Sequence, residues 1–270
     1  GNLSGRTVPR HRLLRLYPQF DSVSRSGETP GGSSSYNAFL AKITKQFSQG
    51  LTLLASYQWS KAIDNLAEGE PGLSDGFRDY SKVWIERAIS AHDIPHNFVT
   101  TFVYDLPFGR GRRLASDLHP AANLVLGGWQ VSGIVRFQSG APSTIGTYGF
   151  GAQYPNLMSA DALKVENQTP EQWFNTSAFS AAAPYTVGSA PRRLTELRQA
   201  GAKHADIALM KNFHPTEALK VQFRAEFFNL TNTPQFGPPD ASFGSNTFGR
   251  VNGTFSAPAR NVQFGLRMDF

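Results

Sequence analysis

His92, Asp93 and His96 are the residues that most invite a chemical reading, because imidazole and carboxylate are common ligands of divalent metals. Pro95 fixes the chain between them, however, and a strand pattern begins at once, so a loop-to-strand junction is the simpler reading. Glu68 and Glu70 come closest to a carboxylate pair. They lie in a flexible Gly- and Pro-containing loop that gives acid–base chemistry no fixed geometry. Serine and histidine occur without a Gly-x-Ser-x-Gly elbow. Gly149-Phe-Gly151 lacks the further glycines and the following helix of a phosphate-binding loop. The absence of cysteine removes disulfides, thiolate catalysis and Cys-ligated metals together. No catalytic residue, metal ligand or cofactor site is assigned, and an enzyme is the least favoured class.

Two other sets of residues carry functional expectations. Lys220, Gln222, Arg224 and Glu226 recur at every second position, which makes a ladder of polar groups on one face of a strand. Tyr148, Phe150, Tyr154 and Trp173 fall in a long loop, where exposed rings could stack on a ligand such as a sugar; packing of the loop onto itself is the plainer alternative.

The elements that must position these residues are strands. Seven segments alternate apolar and polar residues with period two: 36–47, 51–60, 96–107, 122–138, 203–213, 218–230 and 259–270. In 51–60, Leu51, Leu53, Ala55, Tyr57 and Trp59 oppose Thr52, Leu54, Ser56, Gln58 and Ser60. In 218–230, Leu219, Val221, Phe223, Ala225 and Phe227 oppose the polar ladder. The closing segment sets Val262, Phe264, Leu266, Met268 and Phe270 against Asn261, Gln263, Gly265, Arg267 and Asp269. Segment 96–107 is less clean, since Val99 and Val103 fall on its polar side. A brief helix is expected at Thr169 to Asn175, with Thr169 as cap and Pro170 at the first helical position. Residues 1–33 read as an extended approach, with a short strand near Gln19 to Arg25.

Composition agrees with a β-rich chain: 21 Phe, 8 Tyr and 4 Trp favour strands, while 25 Gly and 17 Pro punctuate turns. No apolar run approaches the ~18 residues of a transmembrane helix, but a membrane-crossing strand needs only alternate apolar residues over about 9–11 positions. The net charge of +6 is scattered, and its densest cluster, Arg110, Arg112 and Arg113, fits a short turn, so no nucleic-acid partner is expected.

Alternation alone does not separate a soluble sandwich from a membrane barrel. The connections do, since between these limits they alternate short and long without exception, as periplasmic turns and extracellular loops alternate in membrane barrels. Long loops are expected at 61–95, 139–202 and 231–258. Aromatics near strand ends (Phe47, Tyr57, Trp59, Phe137, Phe213 and Phe227) suit membrane interfaces. With short turns in the periplasm, the seventh strand runs inward and ends there. The expected fold is an all-β, antiparallel transmembrane barrel of the bacterial outer membrane, with about seven strands of a larger barrel in residues 34–270.

Several runs also resemble a known family. Gly50-Leu-Thr-Leu-Leu-Ala-Ser-Tyr-Gln-Trp-Ser-Lys-Ala62, Asp93-Ile-Pro-His96 followed by Phe98, Leu106-Pro-Phe-Gly-Arg-Gly-Arg112 and Gly127-Gly-Trp-Gln-Val-Ser-Gly133 are similar to segments of TonB-dependent receptors of the Oar-like type. Gln222-Phe-Arg-Ala-Glu-Phe-Phe-Asn-Leu-Thr-Asn232 resembles that family's penultimate strand, and the alternation ending in Phe270 its last. The resemblance implies a barrel of about 22 strands with a plugged lumen, of which this chain would be roughly the final third. It implies that the plug, the TonB-contacting segment and the signal peptide precede the chain. The implied partners are outer-membrane lipid, the protein's own plug domain, the TonB system, the insertion machinery (with Phe270 as its recognition signal) and an unnamed ligand. Lys220, Gln222, Arg224 and Glu226 would face the lumen. The alternatives are a complete small pore or adhesin barrel and a soluble carbohydrate-binding β-sandwich.

Overall fold

The computed structural model describes residues 7–14, 17–20, 32–48, 50–65, 82–147, 154–216, 219–253 and 259–270. Seven long strands, β1 (Ser34–Ser48), β2 (Leu51–Asp64), β3 (His96–Asp105), β4 (Trp129–Gln138), β5 (Ala202–Phe213), β6 (Lys220–Phe228) and β7 (Asn261–Asp269), form one antiparallel sheet in sequence order. The two-residue strand Ala88–Ile89 pairs with the end of β2. Among the described residues β1 and β7 each pair on one side only, so the sheet does not close.

Every strand expected from alternation is present, and the register joins them into two coherent faces. Phe39 pairs with Trp59, Tyr57 with Phe98, and Phe98 with Phe137. Ile207 then pairs with both Gly133 and Phe227, and Phe227 with Val262. Directly opposed residues share a face, so the apolar sets of all seven strands lie on the same side. A one-residue slip at any pairing would have turned one strand over. Residues Gln46 and Phe47 form a bulge before the β1–β2 turn. Gly50 closes that turn at φ +80, and a Cβ there would lie 2.9 Å from the Asp105 carbonyl oxygen.

The described parts of the connections 49–50, 106–128 and 214–219 lie at one end of the sheet, and those of 65–95, 139–201 and 229–260 at the other. Three expectations need correction. β2 runs on to Asp64, so residues 61–64 are strand rather than loop. The strand expected from residue 122 begins only at Trp129, because Pro120–Leu126 is a helix. Pro120 suits the first helical position, the His119 Nδ1 accepts from the Ala121 amide at 3.3 Å, and Ala122 to Leu126 lack alternation. The helix expected at Thr169 to Asn175 is absent. Thr169 and Gln172 instead bond each other's backbone at 3.1 Å, and the Trp173 amide donates to the Gly249 carbonyl at 2.8 Å, across to another loop. Of the strand expected near Gln19 to Arg25, residues 21–25 lie outside the described residues, and Gln19 and Phe20 are not strand.

The hydrophobic core is not in the sheet. Ile145, Tyr154, Leu163, Trp173, Phe174, Phe179, Leu194, Leu197 and Val251 are buried together, all in the connections 139–201 and 229–253. Phe248 meets Phe174, Phe179 and Phe243 edge-on at centroid distances of 5.2, 5.6 and 5.6 Å. Each buried Phe contributes about 1.5–3 kcal/mol, and each edge-on pair about 0.5–1.5 kcal/mol more. Packing is tight enough to require glycine at position 188, where a Cβ would sit 1.9 Å from the Tyr154 carbonyl oxygen. The long connections therefore form a folded cap on one end of a single-layered sheet. On the sheet itself Phe39, Trp59, Phe264, Leu266 and Met268 remain exposed.

Candidate functional site

The polar face carries most of the sheet's ionisable side chains. On β6, Arg224 lies 3.5 Å from Glu226, and Gln222 donates to the Asn212 side chain of β5 at 2.9 Å. On β5, His204 lies 3.0 Å from Asp206, which also accepts from the Asn229 amide at 2.8 Å. Gln130 donates to Asp105 at 2.7 Å, Arg136 to Gln138, and Arg267 to Asp269 at 2.9 Å. Cations and carboxylates alternate across the wall, so it presents no single sign of charge. Between them lies a hollow of about 360 Å³ whose lining includes Leu54, Val103, Ile134 and Phe228. Val103, anomalous in the sequence pattern, is part of it. The polar face is thus a rim of hydrogen-bonding groups around an apolar centre.

The cap is fastened to the sheet by buried charge. Asp93, 2% exposed, accepts from the Ala62 amide of β2 at 2.7 Å and from Arg198 at 2.5 Å. Arg198 also donates to the backbone oxygens of Asp93 at 2.9 Å and Gly140 at 3.1 Å. Its own carbonyl accepts from the Trp173 indole at 2.7 Å, which links this belt to the aromatic core. A second buried pair joins Arg192 in the cap to Asp64 at the end of β2. Desolvated charges persist only when paired and hydrogen-bonded. Loop 229–253 has its own anchor in Asp240. Burial would raise its carboxyl's pKa, but hydrogen bonds from Ser245, Thr247 and Ser242 outweigh it and hold the group below the usual carboxylate range.

The three residues that suggested a metal do not converge. Asp93 is engaged by Arg198, while His96 Nδ1 lies 2.8 Å from the Tyr57 hydroxyl. Among the described residues, no three His, Asp or Glu side chains are placed to hold a cation. Of the loop aromatics, Tyr154 and Trp173 are each 6% exposed and belong to the cap core, whereas Tyr148 and Phe150 lie outside the described residues. Lys220, Gln222, Arg224 and Glu226 share the polar face, as their spacing requires. Phe270 follows the end of β7 and is fully exposed. Sequence reasoning missed the ion-pair belt, because Asp93 and Arg198 are far apart in the chain and only the fold brings them together. It also missed the exposed Met158 and Tyr185 of the cap and Trp84 in the connection 65–95.

A single layer of strands with one largely apolar face, interrupted by a few side chains such as His96 and Lys211, is what a membrane barrel presents. The model of the outer membrane beta barrel domain matches residues 2–263. The chain belongs to that family. No curated protein and no solved structure matches it. As part of an outer-membrane barrel, the chain solves its missing second layer with lipid, and the bacterial outer membrane is its location. A soluble sandwich would need a second sheet over the apolar face, and none occurs among the described residues.

The belt yields a prediction about the cap. Asp93→Asn in the membrane-embedded protein should leave Arg198 without its counter-charge, at a cost of about 3–5 kcal/mol. Protease should then cut within 139–201 faster than in the parent, while the sheet's resistance to heat in detergent stays the same. Equal cleavage of variant and parent would show that this pair does not hold the cap down.

Proposed function

We propose that this chain forms part of the wall of a TonB-dependent transporter or receptor of the Oar-like type, which takes up a ligand across the outer membrane. In this reading the capped end is extracellular, the short-turn end is periplasmic, and the polar face with Lys220, Gln222, Arg224 and Glu226 looks into the lumen. The observation that carries it is the cap: two long loops share one aromatic core, a preorganised platform suited to capture. The ordered run of motifs from Gly50 to Asn232 supports the family assignment. The ligand first meets exposed side chains of the long connections, among them Trp84 and Tyr185, and passes a wall of balanced charge. The protein's plug and the TonB system supply gating and energy, and the chain itself performs no catalysis. Phe270, exposed and beyond the last pairing, acts as the recognition signal for the insertion machinery.

Three measurements test this reading. Site-directed disulfide cross-linking in membranes should recover an adduct of the full-length protein with TonB. Consistent failure at every engineered position would remove the energised-transporter reading and favour a passive pore. Deleting Phe270 from the full-length protein should lower its surface level, and an unchanged level would remove the assembly role. For sidedness, Phe223→Arg should cost about 2–4 kcal/mol near the bilayer midplane and Gln222→Arg far less. Single cysteines at the two positions, labelled and reconstituted, should show quenching by a lipid-phase quencher at 223 and not at 222. The opposite pattern would invert the assignment.

A further inference from the structure

The connection 106–128 combines two features that the uptake function does not use. Its helix, Pro120–Leu126, folds back onto the apolar face of the sheet. The Val125 carbonyl accepts from the Trp129 indole at 2.9 Å and from Lys211 Nζ at 3.0 Å, and Lys211 also donates to the Gly127 carbonyl at 2.5 Å. Lys211 lies 4.8 Å from the centre of the Trp129 ring and shares the apolar face with Trp129 and Phe223. One ammonium thus satisfies the helix's last carbonyls and rests on an aromatic face, both favourable to a cation there. Leu124, Val125 and Leu126 stay 47%, 65% and 53% exposed on a helix whose C-terminal carbonyls are held at the apolar face by Trp129 and Lys211.

The other arm of the connection is basic. The turn from Phe108 to Leu114 is tied to the helix by the Arg110 amide, which donates to the Asn123 side chain at 2.7 Å. It exposes Arg110, Arg112 and Arg113, and the connection's only carboxylate is Asp117. Arg112 reaches Asp105 at 3.7 Å, while the side chains of Arg110 and Arg113 form no ion pair among the described residues. Aliphatic side chains on a helix held at the lipid-facing side, beside unpaired guanidinium groups, match one partner: an anionic phospholipid, its acyl chains against the helix and its phosphate against the arginines.

We propose that connection 106–128 is a docking element for anionic phospholipid at the short-turn rim of the barrel, with Leu124, Val125 and Leu126 in the acyl layer and Arg110 and Arg113 on headgroup phosphate. The proposal rests on the reading of the apolar face as lipid-facing. Its test uses the full-length protein, freed of any cysteines, in phosphatidylcholine bilayers with and without phosphatidylglycerol. A fluorophore on Val125→Cys should be quenched by a lipid-phase quencher, as should one on Phe223→Cys. Spin-labelled phosphatidylglycerol should associate more strongly than spin-labelled phosphatidylcholine, and R110Q and R113Q should each lower that preference about fivefold. Quenching at 223 without quenching at 125, or a preference unchanged in the double variant, overturns the docking element and leaves the barrel's sidedness standing. Loss of quenching at both positions overturns the two together.

Discussion

Everything in this structure depends on a shared register. Seven strands pair in sequence order, and each pairing keeps the apolar residues on one side, from Phe39 through Tyr57, Phe98, Phe137, Ile207 and Phe227 to Val262. The side-chain period of a strand is two, so a one-residue slip inverts the whole strand. An inverted strand would place a row such as Gln222, Arg224 and Glu226 among Leu209, Phe264 and Leu266. In lipid that is costly enough to exclude every inverted pairing without help from a packed second layer.

The two halves of the molecule are stabilised by different physics. The sheet has backbone hydrogen bonds and a face that only lipid can cover. The cap behaves like a small soluble domain, with a core of crossed phenylalanines around Phe248 and few regular strands. Where they meet, neither solution suffices, and the chain uses ions. Asp93 and Asp64 stand at the strand ends with Arg198 and Arg192 descending from the cap. The Asp93–Arg198 pair is held by backbone groups of Ala62, Asp93 and Gly140 as well, which fixes where the cap sits more than it adds net stability.

How much of this was legible in the sequence follows from the range of the interactions. Period-two patterning is local, and it located all seven strands and both faces. Alternation puts Trp129 on the correct face, but Ala122 to Leu126, mostly apolar and not alternating, hide the start of the strand. The cap is not legible as a folded unit, since Trp173, Phe179 and Phe248 have no periodicity and meet only in three dimensions. Its one available signal was an excess of aromatic residues in Gly- and Pro-rich connections. Tyr154 and Trp173 were noticed for that reason, and burial gives them a structural place. The apolar hollow on the polar face is half legible: Val103 stands out as an anomaly of its strand, but its partners Leu54 and Ile134 come from other strands.

The cap core draws on residues from 145 to 197 and again from 236 to 251, with β5 and β6 threaded between them. The two connections are therefore a single unit in a pair of pieces. Phe174 has no complete neighbourhood without Phe248, and the Trp173 amide has no acceptor without Gly249. Recombination or engineering that exchanges one long loop alone would deliver half a core. New specificity on this scaffold has to be acquired by exchanging both segments together, or by changes confined to the outward-facing side chains that neither segment buries.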